Sequence, residues 1–216
     1  MKSAIFDLDG VIVDTAKFHF LAWKKISQKY GYELDETQNE KLKGISRSDS
    51  LINILKWSNK QISKIEFTKT LEEKNIIYLN LIKNLTKEDT LPGVFKILSF
   101  LKKKGIKIAL GSASKNSIIV LNKLSLTKYF DVIIDGNDVV NSKPDPEVFI
   151  KGAKELGVSC EECIVFEDSE AGVKAARFAK MNVVGICNSK KELKNTLFNI
   201  EGFLSIKSNK ILKHFL

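Results

Sequence analysis

The sequence predicts a doubly wound α/β core with a parallel sheet, interrupted after its first strand by an all-helical insertion. Three observations carry this. After Pro92-Gly93, short apolar runs alternate with helical stretches, the pattern of a parallel sheet covered on both faces. From about residue 15 to 88 only helical spacing occurs, with no strand signal. The 216 residues are 44% apolar, enough for one large domain, or one domain with a smaller insertion.

Residues 3–7 read as a short buried strand ending in Asp7. Thr15 to Tyr30 has helical spacing, with Phe18, Leu21, Ala22 and Ile26 on one side. Asp14 is placed to cap that helix and Gly31 to end it. Further helices are expected over 36–43, 48–57 and 61–84. Helix 94–104 then stops at Gly105, and strand 106–110 follows. Helix 115–124 precedes strand 131–134, helix 146–156 precedes strand 163–166, and helix 170–180 precedes strand 182–186. The last stretch, 201–216, reads as a short strand or loop and a surface helix. The expected division is a core of 1–14 and 89–216 and a helical cap of 15–88, without internal repeats.

Composition narrows the function. The net charge is +9, but the lysines are spread along the chain and mixed with acids. A nucleic-acid-binding face concentrates its charge, so a solvated surface that also attracts anionic substrates is the better reading. No apolar run approaches a membrane span, and Met1-Lys2-Ser3 leads directly into the first strand, so a cytoplasmic protein, without membrane partner and monomeric, is expected. Cys160 and Cys163 form C-x-x-C, yet no second Cys or His pair completes a zinc site, and Cys163 opens the apolar run of a core strand.

The chemistry lies at strand ends. In Asp7-Leu8-Asp9-Gly10 the two carboxylates, two residues apart, leave the first strand on one face, at the sheet edge where ligands bind. Adjacent carboxylates repel, so one takes a cation or a proton, giving a nucleophile beside a general acid. Gly111-Ser112-Ala113-Ser114-Lys115-Asn116 opens a helix with hydroxyls and backbone N–H groups that suit a phosphate, although ordinary capping explains such stretches too. Lys143, before Pro144, is placed to neutralise phosphoryl charge. Glu167-Asp168, after Ile164-Val165-Phe166, suits an oxygen-liganded magnesium. Each signal alone has a capping or surface explanation; capping does not predict the set.

In this order the four motifs resemble the haloacid dehalogenase (HAD) superfamily: DLDG at 7–10, Ser112, Lys143-Pro144 and Glu167-Asp168. The segments His19-Phe20-Leu21-Ala22-Trp23-Lys24, Leu42-Lys43-Gly44-Ile45-Ser46-Arg47, Leu91-Pro92-Gly93 and 106–116 are similar to the β-phosphoglucomutase branch of it. The resemblance covers all but the last stretch. It implies a HAD-like Rossmannoid core with a helical cap, and a Mg2+-dependent phosphomutase interconverting β-glucose 1-phosphate and glucose 6-phosphate through an aspartyl phosphate and glucose 1,6-bisphosphate. By the resemblance, Asp7 is the nucleophile and Asp9 the acid-base group. Metal ligands are Asp7, the Asp9 carbonyl and Asp168, with Glu167 in or near the shell. Ser112, the Ala113 N–H and Lys143 hold the transferring phosphoryl group. Arg47, Ser114, Lys115 and Asn116 hold the other phosphate. His19 and Lys74 contact the sugar or position Asp9, with Trp23 and Gly44 in the substrate-binding set. Thr15 and Leu91-Pro92 are the hinges. A sugar-phosphate or phosphoglycolate-type phosphatase on the same fold is the alternative. A receiver domain, which shares the acidic cluster and Lys-Pro, is shorter, has its acidic pair first and lacks a helical insertion.

Overall fold

The computed structural model describes residues 1–187 and 192–204. Six strands form one sheet in the order β3-β2-β1-β4-β5-β6, parallel at every pairing. They are β1 (Ser3–Phe6), β2 (Lys107–Gly111), β3 (Val132–Ile134), β4 (Cys163–Glu167), β5 (Asn182–Ile186) and β6 (Phe198–Ile200). β1 and β4 are buried throughout, as neighbouring strands of a sheet covered on both faces must be. Helices α1 (Ala16–Lys29), α2 (Glu36–Glu40), α3 (Arg47–Trp57) and α4 (Lys64–Leu81) lie between β1 and β2 in the chain. Helices α5 (Val94–Lys103), α6 (Ser117–Lys123), α7 (Glu147–Leu156) and α8 (Glu170–Phe178) connect the strands.

Burial separates the molecule into three apolar clusters. One face of the sheet packs Phe6, Leu110 and Phe166 against α5 and Phe203, and the rings of Phe6 and Phe166 stack 4.7 Å apart. The other face packs Ile5, Ala109 and Val165 against Phe149 and Val173. The insertion has a core of its own, built from Trp23, Ile26, Leu34, Leu51 and Ile54. Every strand and helix expected from the sequence between 3 and 186 is present, with ends moved by a few residues.

Two expectations change. Leu21 is half exposed; α1 turns Ala22, Trp23, Ile26 and Ser27 inward instead. Asp14 does not cap α1. The chain leaves the core through a bridge between Val13 and Thr90, the N-cap falls at Thr15, and Asp14 pairs with Lys17 at 3.4 Å. The strand β6 has no signal in the sequence; residues 201–204 form a turn, as the expected loop would, and the surface helix expected in the rest of 201–216 lies outside the described residues. No described helix is long and apolar enough to cross a membrane.

Candidate active site

β1, β2 and β4 lie side by side, so their carboxyl ends bring together residues far apart in the chain. Asp7 immediately follows β1, Ser112 follows β2, and Glu167 ends β4. Lys143 Nζ lies between the first and third, donating to Asp7 Oδ1 at 2.6 Å and to Glu167 Oε1 at 2.7 Å. Its side chain is fully buried, and Phe149 lies beneath the ammonium at 4.7 Å. A buried ammonium with two carboxylate partners is held charged, and its pKa is raised above the ordinary lysine value, the two carboxylates outweighing burial.

Asp7, Asp9, Glu167 and Asp168 gather at these strand ends, with Lys143 bonded to Asp7 and Glu167, and the charges of Lys74 and Lys43 acting on Asp9 and Asp168. Burial pushes Asp7 up to about 7, with Lys143 opposing and Glu167 and Asp9 adding to the rise. Asp9 is also raised by burial, against a hydrogen bond from Thr15 Oγ1 and the charge of Lys74. Asp168 is raised well above the usual carboxylate range by burial, then by Glu167 and Asp7, and it makes no salt bridge among the described residues. The surplus of negative charge and the hard oxygen donors suit a divalent cation such as magnesium. Among the described residues no group of three or more metal-binding side chains is preassembled. Two carboxylates completed by a backbone carbonyl and substrate phosphate would fit that condition. Gly10, at φ +81°, makes the turn after Asp9 possible; a Cβ there would lie 2.1 Å from Asp168 Oδ2.

Glu167 is placed differently from its neighbour. It is fully buried, and its Oε2 accepts from Ser169 N at 2.7 Å and Ser169 Oγ at 2.9 Å while Oε1 takes Lys143. Both oxygens are engaged within the protein, and Glu167 does not line the cavity. No local pattern separates the two acids; of the pair, the structure puts only Asp168 on the cavity wall.

The insertion closes the site. One cavity is lined by Asp7, Asp9, Asp168, Ala113, Ser114 and Lys115 from the core. Its other wall carries His19, Trp23, Gly44, Arg47 and Lys74 from the insertion. Ser112, Asn116 and Lys143, from the core, do not line this cavity. Ser112 Oγ accepts from Ser114 N at 3.1 Å, fixing the turn that exposes Ala113 to Lys115. Gly44, at φ +73°, meets the core so closely that a Cβ would lie 2.2 Å from Ser169 Oγ.

Two polar chains cross between insertion and core. Lys74, buried in α4, contacts His19 Nδ1 at 2.7 Å, and His19 Nε2 lies 3.8 Å from Asp9 Oδ1. Burial and the charge of Arg47 bring Lys74 down to about 7, and burial with Lys74 and Arg47 keeps the imidazole neutral. When Lys74 is protonated it donates to Nδ1, and the ring proton then belongs on Nε2, a buried atom without a hydrogen-bond partner that faces Asp9. In the second chain Asn75 Oδ1 accepts from Arg47 Nη2 at 2.8 Å and from Asn116 Nδ2 at 2.9 Å. Sequence reasoning missed Asn75. An asparagine in a lysine- and glutamate-rich helix carries no local signal, and only its place one residue after Lys74 could have raised it. C-x-x-C forms no metal group among the described residues; Cys163 is buried and Cys160 half-buried.

A model of the haloacid dehalogenase-like hydrolase family matches residues 4–186, the span that holds all these groups. The chain belongs to this family. Its parallel six-stranded sheet flanked by helices is a haloacid dehalogenase-like fold. The chain is 43% identical to the β-phosphoglucomutase of Bacillus subtilis (strain 168) over 188 residues, covering 86% of this chain and 83% of that protein. A phosphorylated carbohydrates phosphatase of Thermotoga maritima is 34% identical over 193 residues, 88% of this chain and 87% of that one. The crystal structure of β-phosphoglucomutase from Clostridium difficile superposes with a TM-score of 0.94 at 42% identity, covering 100% of this chain and 97% of that chain.

Proposed function

We propose that this enzyme is a phosphomutase that interconverts β-glucose 1-phosphate and glucose 6-phosphate, with Asp7 as the group that carries the phosphoryl between turnovers. The observation that carries the reading is the single cavity walled by Asp7 and Asp9 on one side and by Arg47, His19 and Lys74 on the other. A phosphatase needs the first wall; a mutase also needs a second phosphate held at a distance and water kept out.

In this reading the inserted helices, 15–88, act as a cap on the core of 1–14 and 89–216. Phosphorylated Asp7 meets β-glucose 1-phosphate. The 6-hydroxyl gives its proton to Asp9 and attacks phosphorus, the bond from phosphorus to the Asp7 oxygen breaks, and glucose 1,6-bisphosphate forms. After the bisphosphate turns over, a carboxylate oxygen of Asp7 attacks the phosphorus at position 1. The bond to the sugar oxygen breaks, Asp9 returns its proton to that oxygen, and glucose 6-phosphate leaves. Arg47 grips the phosphate not in transfer through two parallel N–H bonds, with Ser114, Lys115 and Asn116 opposite it. Lys143, Ser112 and the Ala113 N–H offset charge on the transferring group. The Nε2–H of His19, backed by Lys74, points at Asp9 and holds it for proton transfer. Trp23 and Gly44 complete the sugar wall, and Thr15 with Leu91-Pro92 form the hinges.

Mg2+ would be held by Asp7, Asp168 and the Asp9 carbonyl, where it neutralises phosphoryl oxygens and the carboxylate surplus. Glu167 then acts from behind, by fixing Lys143 and Ser169. The protein works on small sugar phosphates, in the cytoplasm and as a monomer.

The Thermotoga relative favours a second reading, hydrolysis of the aspartyl phosphate by water. Incubation with β-glucose 1-phosphate, Mg2+ and a trace of glucose 1,6-bisphosphate separates the two. The mutase forms glucose 6-phosphate with little free phosphate; release of phosphate without glucose 6-phosphate overturns it.

A further inference from the structure

Cap residues that face the substrate do not explain what holds the insertion against the loop that carries Lys143. α3 starts at Arg47, and its N-cap Ser46 accepts the Asp49 N–H at 3.1 Å. Asp49, in the first turn, sits where a carboxylate is favoured by the helix N-terminus, and its Oδ2 also accepts the Ser46 hydroxyl. The same oxygen reaches out of the insertion and accepts the Ser142 hydroxyl of the core at 2.6 Å, across 93 residues of chain. Ser142 directly precedes Lys143.

The core side of this contact is built independently of the insertion. Val140 N and Asn141 N donate to the Glu147 carboxylate at 3.0 and 2.8 Å, and Asp145 N donates to Ser142 O at 3.0 Å. Ser142 is thus presented by bonds within the core. Asp49 and Ser142 are only half-buried, and Asp49 has Ser46 and the helix N-terminus as partners within the insertion, so separating the insertion from the core would leave both groups to water. The contact is strong when made, because one partner is charged, and leaves no buried orphan when broken. A contact meant only for static stability has no need of that reversibility.

We propose that Asp49 and Ser142 form a closure latch. They are positioning residues that favour the closed arrangement, in which α3 delivers Arg47 to the cavity and the Ser142-Lys143 loop meets the insertion. The proposal rests on the phosphoryl-transfer reading of the cavity and adds the pair that holds it shut.

The test compares Ser142→Ala, Ser142→Thr, Asp49→Ala and the Ser142→Ala/Asp49→Ala double variant with the wild type, using β-glucose 1-phosphate, Mg2+ and glucose 1,6-bisphosphate. Loss of one charge-assisted hydrogen bond shifts closure by about ten-fold. Ser142→Ala is expected to raise KM for the bisphosphate by about that factor and to release more free phosphate per glucose 6-phosphate formed. Its thermal midpoint stays at the wild-type value, and Ser142→Thr restores both kinetic readouts. The double variant loses no more than the worse single one. Wild-type kinetics in Ser142→Ala, or independent, multiplying losses in the double variant, overturn the latch. A thermal midpoint lowered together with kcat, unrescued by threonine, also overturns it. The two readings fail separately. The mutase reading is judged on the wild type's product, whereas the latch is judged on the KM ratio of variant to wild type, whichever product forms. If Asp49→Ala unfolds α3, Ser142→Ala and Ser142→Thr decide alone.

Discussion

Replacing Lys143 with methionine removes the ammonium and keeps most of the volume. In the native site that ammonium lies 2.6 Å from Asp7 and 2.7 Å from Glu167, and all three side chains are nearly or wholly inaccessible to water. Taking one partner from a buried ion pair costs about 3–5 kcal/mol, because the remaining charge is left uncompensated. At about 2–4 °C per kcal/mol for a chain of this size, the melting temperature at pH 7.5 falls by roughly 6–20 °C. The sign of the pH dependence follows from Asp7. Its carboxyl already titrates near 7 in the folded protein against an ordinary value of 3.8, so folding takes up a proton between those values, and stability falls as pH rises through that window. Without Lys143 the folded state holds that proton more tightly still. The gap between wild type and variant is therefore wider at pH 7.5 than at pH 5. Thermal unfolding by circular dichroism without added metal at the two pH values measures both gaps. Equal gaps, or no loss at pH 7.5, would refute the account of Lys143 as the counter-charge of Asp7 and Glu167. In turnover, the variant loses a factor of about 100–1000 in kcat, as for loss of one preorganised electrostatic donor.

Asp9→Asn, isosteric and partly exposed, is expected to leave the unfolding free energy within about 1 kcal/mol of wild type while kcat falls by about 100–10,000-fold, measured by coupled assay of glucose 6-phosphate. Arg47→Lys keeps the charge but loses the two-pronged grip and the bond to Asn75, so bisphosphate KM rises by about ten-fold or more, and charge alone does not rescue it. Mg2+ added at pH 8 raises the melting temperature more than at pH 5.5, because Asp7, pushed up to about 7, holds its proton at the lower pH and the cation must displace it; a shift independent of pH would count against Asp7 as a ligand. Gly10→Ala forces a side chain into positive φ and onto Asp168, and is expected to cost about 1–3 kcal/mol by denaturant titration and to weaken the response to Mg2+.

What the sequence revealed has a common cause. Asp7, Ser112, Lys143, Glu167 and Asp168 stand at or soon after apolar strand signals, and a parallel sheet places all strand ends of one polarity on one edge. Topology brings them together whatever the detailed packing, so local pattern was enough. Contacts between insertion and core have no such rule. Asn75, Asp49 and Ser142 are small polar residues in unremarkable surroundings, and only the docking of α3 and α4 on the core gives them partners. Lys74 is reached through the family resemblance and not through any local pattern; it is buried because α4 packs on α1, and its ammonium lies over the Trp23 and Tyr78 rings. The misread face of α1 has a similar origin. Trp23 supplies a wall of the cavity and Ser27 bonds the Lys24 carbonyl, so the buried stripe is rotated away from Leu21 toward residues with polar atoms. Thr15 replaces Asp14 at the helix start because its hydroxyl serves Asp9, a partner that propensity does not see. β6 is three half-buried residues at a sheet edge, too short for a period to show.

The central claim is that the Asp7 carboxylate carries the phosphoryl group. Brief reaction with glucose 1,6-bisphosphate and Mg2+, acid quench, reduction of any acyl phosphate with borohydride and peptide mass spectrometry test it directly. The account predicts conversion of Asp7 to homoserine in the N-terminal peptide, dependent on both bisphosphate and Mg2+. Unmodified Asp7 with the reduced residue found elsewhere, in an enzyme that is turning over, would contradict it.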